Sequence, residues 1–168
     1  MYLETVQGVC TADGIDACAL KVCNALVMQP LPPESYVDSM PCDFELLTEL
    51  GRVTWAAARL HAGVRDAINR HDGRPSDEPF TKTLGQAVGV LERRARSAGR
   101  TDQIEWILGI GRPAVKRRNA VTHAVTYTAP DGRQAIRTVD HTAPGRFLRD
   151  ELRKVSRHLI HASMTLPK

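Results

Sequence analysis

Seven apolar residues recur at alternating steps of four and three: Leu46, Leu50, Val53, Ala57, Leu60, Val64 and Ala67. Such steps hold side chains on one stripe of a 3.6-residue helix. The spacing predicts a single amphipathic helix over 43–71, whose stripe has to be buried against other helices. Asp43 is a suitable N-cap for it, and Gly73 a suitable residue just past its end. Partners for the stripe follow along the chain. Phe80, Leu84, Ala87, Val88, Leu91 and Ala95 predict a second helix over about 80–98. Leu148, Leu152, Val155, Leu159 and Ala162 predict a last helix that packs on the first, opened at Thr142 or Ala143 with Pro144 in its first turn. Trp55 lies off the first stripe and is free for another contact.

A third helical stretch opens at Thr101-Asp102 and carries Ile104, Trp106, Ile107 and Leu108. Gly109 and Gly111 interrupt it, so a kink or short break is expected before Pro113. The helix that follows should reach about Ala124. Gly85 and Gly89, four apart, permit close approach of a neighbouring helix. After Ala124 the period changes, and Ala129-Pro130-Asp131-Gly132 is a turn signal. This predicts a β-hairpin of about 125–129 and 133–138. The expected fold is therefore all-α: an up-and-down bundle of four main helices with a small β-hairpin before the last.

That bundle should occupy residues 43–168. Residues 1–42 read as an N-terminal helical appendage and linker. Ile15, Cys18, Ala19, Val22 and Leu26 have helical spacing within Asp13–Met28, and Pro30, Pro32 and Pro33 then break the pattern. The stretch on to Pro41 reads as linker. Met40 is a candidate native start.

Charge divides along the same boundary. Residues 1–50 hold one Lys against eight acidic residues, while residues 51–168 hold 22 basic against 11 acidic, in a chain of net charge +4. A basic body suits a polyanionic partner such as RNA. The four cysteines, Cys10, Cys18, Cys23 and Cys42, form no C-x-x-C pair and have no nearby His, so free packed thiols are expected rather than a zinc site. No apolar run approaches 18 residues, and the first residues lack a signal-peptide pattern. A cytoplasmic protein without membrane contact is the expectation.

The chemistry concentrates in one stretch, Gly111 to His123. Four of the seven residues from Arg112 to Arg118 are cationic. On a helix Asn119 and His123 share a face. Arg118 lies five before His123, about 140° around the axis, with a side chain long enough to reach toward the same rim. An arginine clamps a phosphate in bidentate fashion, an imidazole moves a proton near neutral pH, and a neighbouring amide orients the ring. Together they are a minimal kit for metal-free phosphodiester cleavage by a 2′-hydroxyl. From Arg93 to Arg118 the chain has eight basic residues against Asp102 and Glu105, which marks this helix-turn-helix as the expected phosphate-binding surface. His61 and Arg65 are candidates for its flank. Phosphate-loop, dinucleotide, metalloprotease and esterase motifs are absent, so no cofactor and no metal is expected.

Arg118-Asn119-Ala120-Val121-Thr122-His123 resembles the Arg-x4–6-His motif of HEPN domains, small helical bundles many of which are metal-independent ribonucleases. It falls at the end of the third of four amphipathic helices, where that family carries its motif. The resemblance implies a catalytic set of Arg118, Asn119 and His123. Tyr127 on the following hairpin is placed to stack a base, the alternative being a hairpin that only connects two helices; the resemblance itself also implies RNA contacts by Arg112, Lys116 and Arg117. It further implies a homodimer whose two motifs share one cleft, and a role in a toxin–antitoxin pair, anti-phage defence or RNA processing, with an antitoxin or regulatory partner. HEPN toxins silenced by nucleotidylation carry a Tyr two residues after the His; here that residue is Val125. The alternatives are a non-catalytic nucleic-acid-binding module on the same basic face, or a helical interaction protein contacting its partner through Trp55, Trp106 or the acidic N-terminal part. The imidazoles of His158 and His161, three apart on the last helix without an acidic or Cys partner, read as solvated.

Overall fold

A computed structural model describes residues 31–39, 43–75, 80–128, 130–138 and 147–168. The chain divides into two units, Met1–Met40 and Pro41–Lys168. In the first unit the described part is a short helix α1, Glu34–Asp38, where a plain linker was expected. Pro33 at its N-cap has φ already fixed at −60°, and Glu34 sits in the first turn, where the helix dipole favours a carboxylate. The Asp13–Met28 helix and the four cysteines lie outside the described residues.

The second unit is a bundle of four main helices, α2 (Phe44–His71), α3 (Leu84–Ser97), the continuous run α4 (Thr101–Trp106) to α5 (Arg112–Thr122), and α6 (Arg149–Thr165). A hairpin of β1 (Val125–Thr128) and β2 (Gln134–Arg137) precedes α6, paired antiparallel with Val125 opposite Arg137 and Thr128 opposite Gln134. Gly132 takes the left-handed conformation that its turn needs, φ 80°.

The local reasons match the sequence. The Asp43 carboxylate accepts from the backbone N–H groups of Glu45 and Leu46, capping α2. Its stripe is buried at Leu46, Val53, Leu60, Val64 and Ala67, with Leu50 and Ala57 partly covered. The most extensive helix contact is α2 with α6, whose Leu152, Val155, Leu159 and Ala162 face inward. Two helix starts differ from expectation. Helix α3 begins at Leu84 rather than about Phe80, because Thr83 and Gln86 form a reciprocal capping box. Phe80 instead sets its ring edge-on to His61, centroids 5.7 Å apart. Helix α6 begins at Arg149, not near Thr142. Phe147 is held in extended backbone by two bonds to Ile136 on β2, so the chain is not helical at that residue. Pro144 lies outside the described residues.

The expected break at Gly109–Gly111 is instead a π-helical turn, Ile107–Gly111, in which the Arg112 N–H donates to the Ile107 carbonyl. The helix runs through unbroken. Gly111 is required there by packing: a Cβ would lie 2.7 Å from the Trp106 ring. That ring is buried, and its Nε1 donates to the Ala162 carbonyl, 3.2 Å away on α6. Gly111→Ala is expected to destabilise the protein by about 1–3 kcal/mol through this overpacking. At Gly109 nothing lies within 4 Å of the added carbon, so Gly109→Ala should be neutral or slightly stabilising; urea unfolding of the two glycine variants checks the contrast.

Trp106 is therefore a core residue rather than a partner contact, whereas Trp55 is 72% exposed. Among the described residues no helix is long and apolar enough to cross a membrane.

Candidate functional site

Helix α5 starts with Pro113 in its first turn, as its missing N–H allows, and ends at Thr122 with His123 as C-cap. The backbone N–H of His123 still donates to the Asn119 carbonyl at 3.0 Å, so the last turn fixes the two residues together. Residues 112, 116, 119 and 123 follow at helical steps and share one side. On that side a groove of about 460 Å³ is lined by Arg112, Lys116, Asn119 and His123. Its opposite wall is α3 at Gly85, Val88 and Gly89, with Thr138 from the end of β2. Of the glycine pair, only Gly85 faces α5; at Gly89 a Cβ would meet nothing nearer than Arg93 of its own helix, at 4.0 Å. With no side chain at Gly85, α3 approaches α5 until Val115 is 3.5 Å from where a Cβ would stand.

Arg118 opens elsewhere. It lines a second groove, about 380 Å³, with Val121 and Thr122 of α5 and with Thr54, Ala58 and His61 of α2. The 140° between Arg118 and His123 decides this: α5 is packed on both flanks, and its two sides face different neighbours. Within one chain the structure thus brings His123, Asn119, Lys116 and Arg112 together, and sets Arg118 with His61. Of the flank pair, Arg65 is bound to the adjacent Asp66 carboxylate at 2.9 Å. Arg117 is exposed and lines neither groove, and Tyr127 is half-buried on β1 opposite Ala135, also away from both.

Charge along 93–118 is redistributed by pairing. Glu92, buried beside α5, accepts from Arg96 at 2.8 Å and from Arg112. The Arg96 hydrogen bonds lower its carboxyl against the opposing effect of burial, and Arg112 adds to the lowering. Arg94 pairs with Asp72 at 2.8 Å. Arg100 pairs with Asp102 at 2.8 Å, and that hydrogen bond draws Asp102 down to about 2. Among the described residues, Arg93, Lys116, Arg117 and Arg118 keep no carboxylate partner. The unpaired positive charge is therefore narrower than the sequence count implied, and is centred on α5.

Sequence reasoning did not foresee Thr138 or the Val88 wall. The hairpin end reaches the groove only through tertiary folding, and Val88 read as core. His123 is exposed. Among the described residues no group of three His, Cys, Asp or Glu is arranged to hold a metal ion. No family model matches the chain, and neither a curated protein nor a solved structure does.

Proposed function

We propose that the protein is a metal-independent endoribonuclease of the HEPN kind, cutting RNA by attack of a 2′-hydroxyl on the adjacent phosphate. The observation that carries this reading is the first groove, where His123 and Asn119 share one wall with Lys116, next to cations that no described carboxylate neutralises. His123 takes the 2′-hydroxyl proton or protonates the leaving oxygen, and Asn119 orients its ring. Arg118 stabilises the pentacoordinate phosphate. Lys116 and Arg117 hold flanking phosphates, joined by Arg112 when it turns from Glu92, and Tyr127 stacks a base. The products are a 2′,3′-cyclic phosphate and a free hydroxyl.

Because Arg118 and His123 of one chain open on different grooves, a homodimer in which one copy's Arg118 serves the other copy's His123 supports the chemistry better than a monomer. A partner protein that silences such an activity, in a toxin, anti-phage defence or RNA-processing setting, belongs to the same proposal. The same separation favours, as a second reading, a module that binds RNA on α5 without cutting it. The exposed Trp55 keeps a protein-interaction module as a third.

The test is incubation of the purified protein with mixed tRNA and mRNA in EDTA. Fragments ending in 2′,3′-cyclic phosphate are expected; intact RNA alongside salt-sensitive binding supports the second reading instead. A further expected result concerns Glu92. Glu92→Gln removes the negative charge from between Arg96 and Arg112. It should tighten RNA binding severalfold and steepen its salt dependence by about one counterion. Unchanged affinity would place Arg112 outside the RNA contact.

A further inference from the structure

Helix α6 treats its cations in two ways. In its first half, Arg149 pairs with Glu45 at 2.9 Å and Arg153 with Glu49 at 2.6 Å, both acids on α2. Beyond these, Lys154, Arg157, His158 and His161 stand at helical steps of three, one and three, all exposed. Among the described residues these four line a surface groove of about 430 Å³. Among the described residues no carboxylate pairs with any of them. Lys154 and Arg157 are like charges three apart on the helix and repel, an effect countered by proximity to the helix C-terminus.

The His158 ring is already oriented. Its Nδ1 lies 2.7 Å from the Lys154 carbonyl oxygen, which can only accept, so Nδ1 carries the proton. Nε2 is left for a ligand: it accepts from a hydroxyl when neutral and donates to a phosphate oxygen when protonated.

We propose that this face of α6 is a second phosphate-contact surface for single-stranded RNA, separate from the α5 grooves. The proposal rests on the reading of the protein as RNA-binding. Two observations favour RNA over an anionic membrane. Helix α6 packs against α5, which carries the unpaired Lys116, Arg117 and Arg118, so one strand has cations on two adjoining helices. A membrane-surface helix needs a broad apolar face free, whereas that of α6 is buried in the bundle and only Ile160 and Met164 remain exposed on it.

The experiment is fluorescence anisotropy of a labelled, 2′-O-methylated oligoribonucleotide, which resists cleavage, titrated with the full chain in EDTA at several salt concentrations. Each phosphate neutralised on a single strand releases about 0.7 counterion, so Lys154→Ala/Arg157→Ala should reduce the log–log salt slope by about 1.4 and weaken binding roughly tenfold at low salt. The four residues are exposed, so thermal melts should not fall; Lys154→Arg/Arg157→Lys should retain binding in either case. Unchanged slope and affinity in the alanine pair overturn the proposal. If Lys116→Ala/Arg117→Ala alone weakens binding, the α5 reading stands and this one falls; if the α6 pair alone weakens it, the reverse holds. Capture by phosphatidylserine vesicles without binding of the oligoribonucleotide would also overturn it.

Discussion

His123→Ala is expected to lower RNA cleavage by about 10²–10⁴-fold, the usual contribution of a positioned general acid or base. Arg118→Ala should cost about 10²–10³-fold, as loss of one charge-stabilising donor does. Neither residue is in the core: His123 is an exposed C-cap and Arg118 a half-buried groove residue. Circular dichroism should therefore be unchanged, and a loss of activity reads as chemistry. The geometry allows a sharper measurement. Arg118 lines the α2–α5 groove and His123 the α3–α5 groove, and on the homodimer proposal one copy's Arg118 serves the other copy's His123. Mixing the two inactive variants should then restore part of the cleavage, because one of the two composite sites in a mixed dimer is intact. No recovery on mixing, with each variant still folded and dimeric, would mean that Arg118 and His123 act within one chain. Cleavage that survives His123→Ala would remove the motif from the mechanism altogether.

The largest stability effect should come from Glu49. Its side chain is buried on α2, accepting from Arg52 at 2.5 Å and from Arg153 at 2.6 Å across the bundle, while Oε2 has no partner. Removing one partner from a buried ion strands a charge. Arg153→Ala is expected to cost about 2–4 kcal/mol, below the full penalty for a broken buried pair because Arg52 remains and Arg153 is itself half exposed. Glu49→Met, similar in volume and free of charge, should lie within about 1 kcal/mol of the original, since no ion is left to desolvate. Urea unfolding of both variants checks the contrast; equal losses would mean that packing, not charge, sets the cost.

Acid provides the independent check. Burial raises the Glu49 carboxyl, but hydrogen bonds from Arg153 and Arg52 outweigh it, so its net value lies below the ordinary 4.5. Glu92 is displaced the same way by Arg96 and Arg112. A depressed folded-state value stabilises the native form above the unfolded value, and that contribution is lost as pH falls through the folded one. The protein should hold its stability down to about pH 5 and lose it progressively below pH 4.5. Glu49→Met should show a shallower acid dependence than the original chain.

Helix α2 was legible because its stripe spans nearly its whole length, and an amphipathic stripe has few ways to be buried. The hairpin was legible because Pro130-Asp131-Gly132 carries turn chemistry of its own. The start of α6 was not. Phe147 is held extended by Ile136, a residue far from it along the helix pattern, and no local signal reports that pairing. Trp106 read as an equal of Trp55. Only packing against Gly111 and the Ala162 carbonyl separates a core indole from an exposed one.

The candidate site divides in the same way. Local spacing by itself determined the four-helix architecture, the cap of the first helix, and the shared face of Asn119 and His123, because each depends on residues within a turn or two. Tertiary structure alone decided which cations stay unpaired and where Arg118 opens. Arg112 meets Glu92, Arg149 meets Glu45 and Arg153 meets Glu49 through helix packing, and Arg118 is turned to α2 by the neighbours of α5. A charge count along the chain is blind to such pairing, since electrostatic partners are set by distance in space rather than by separation in sequence.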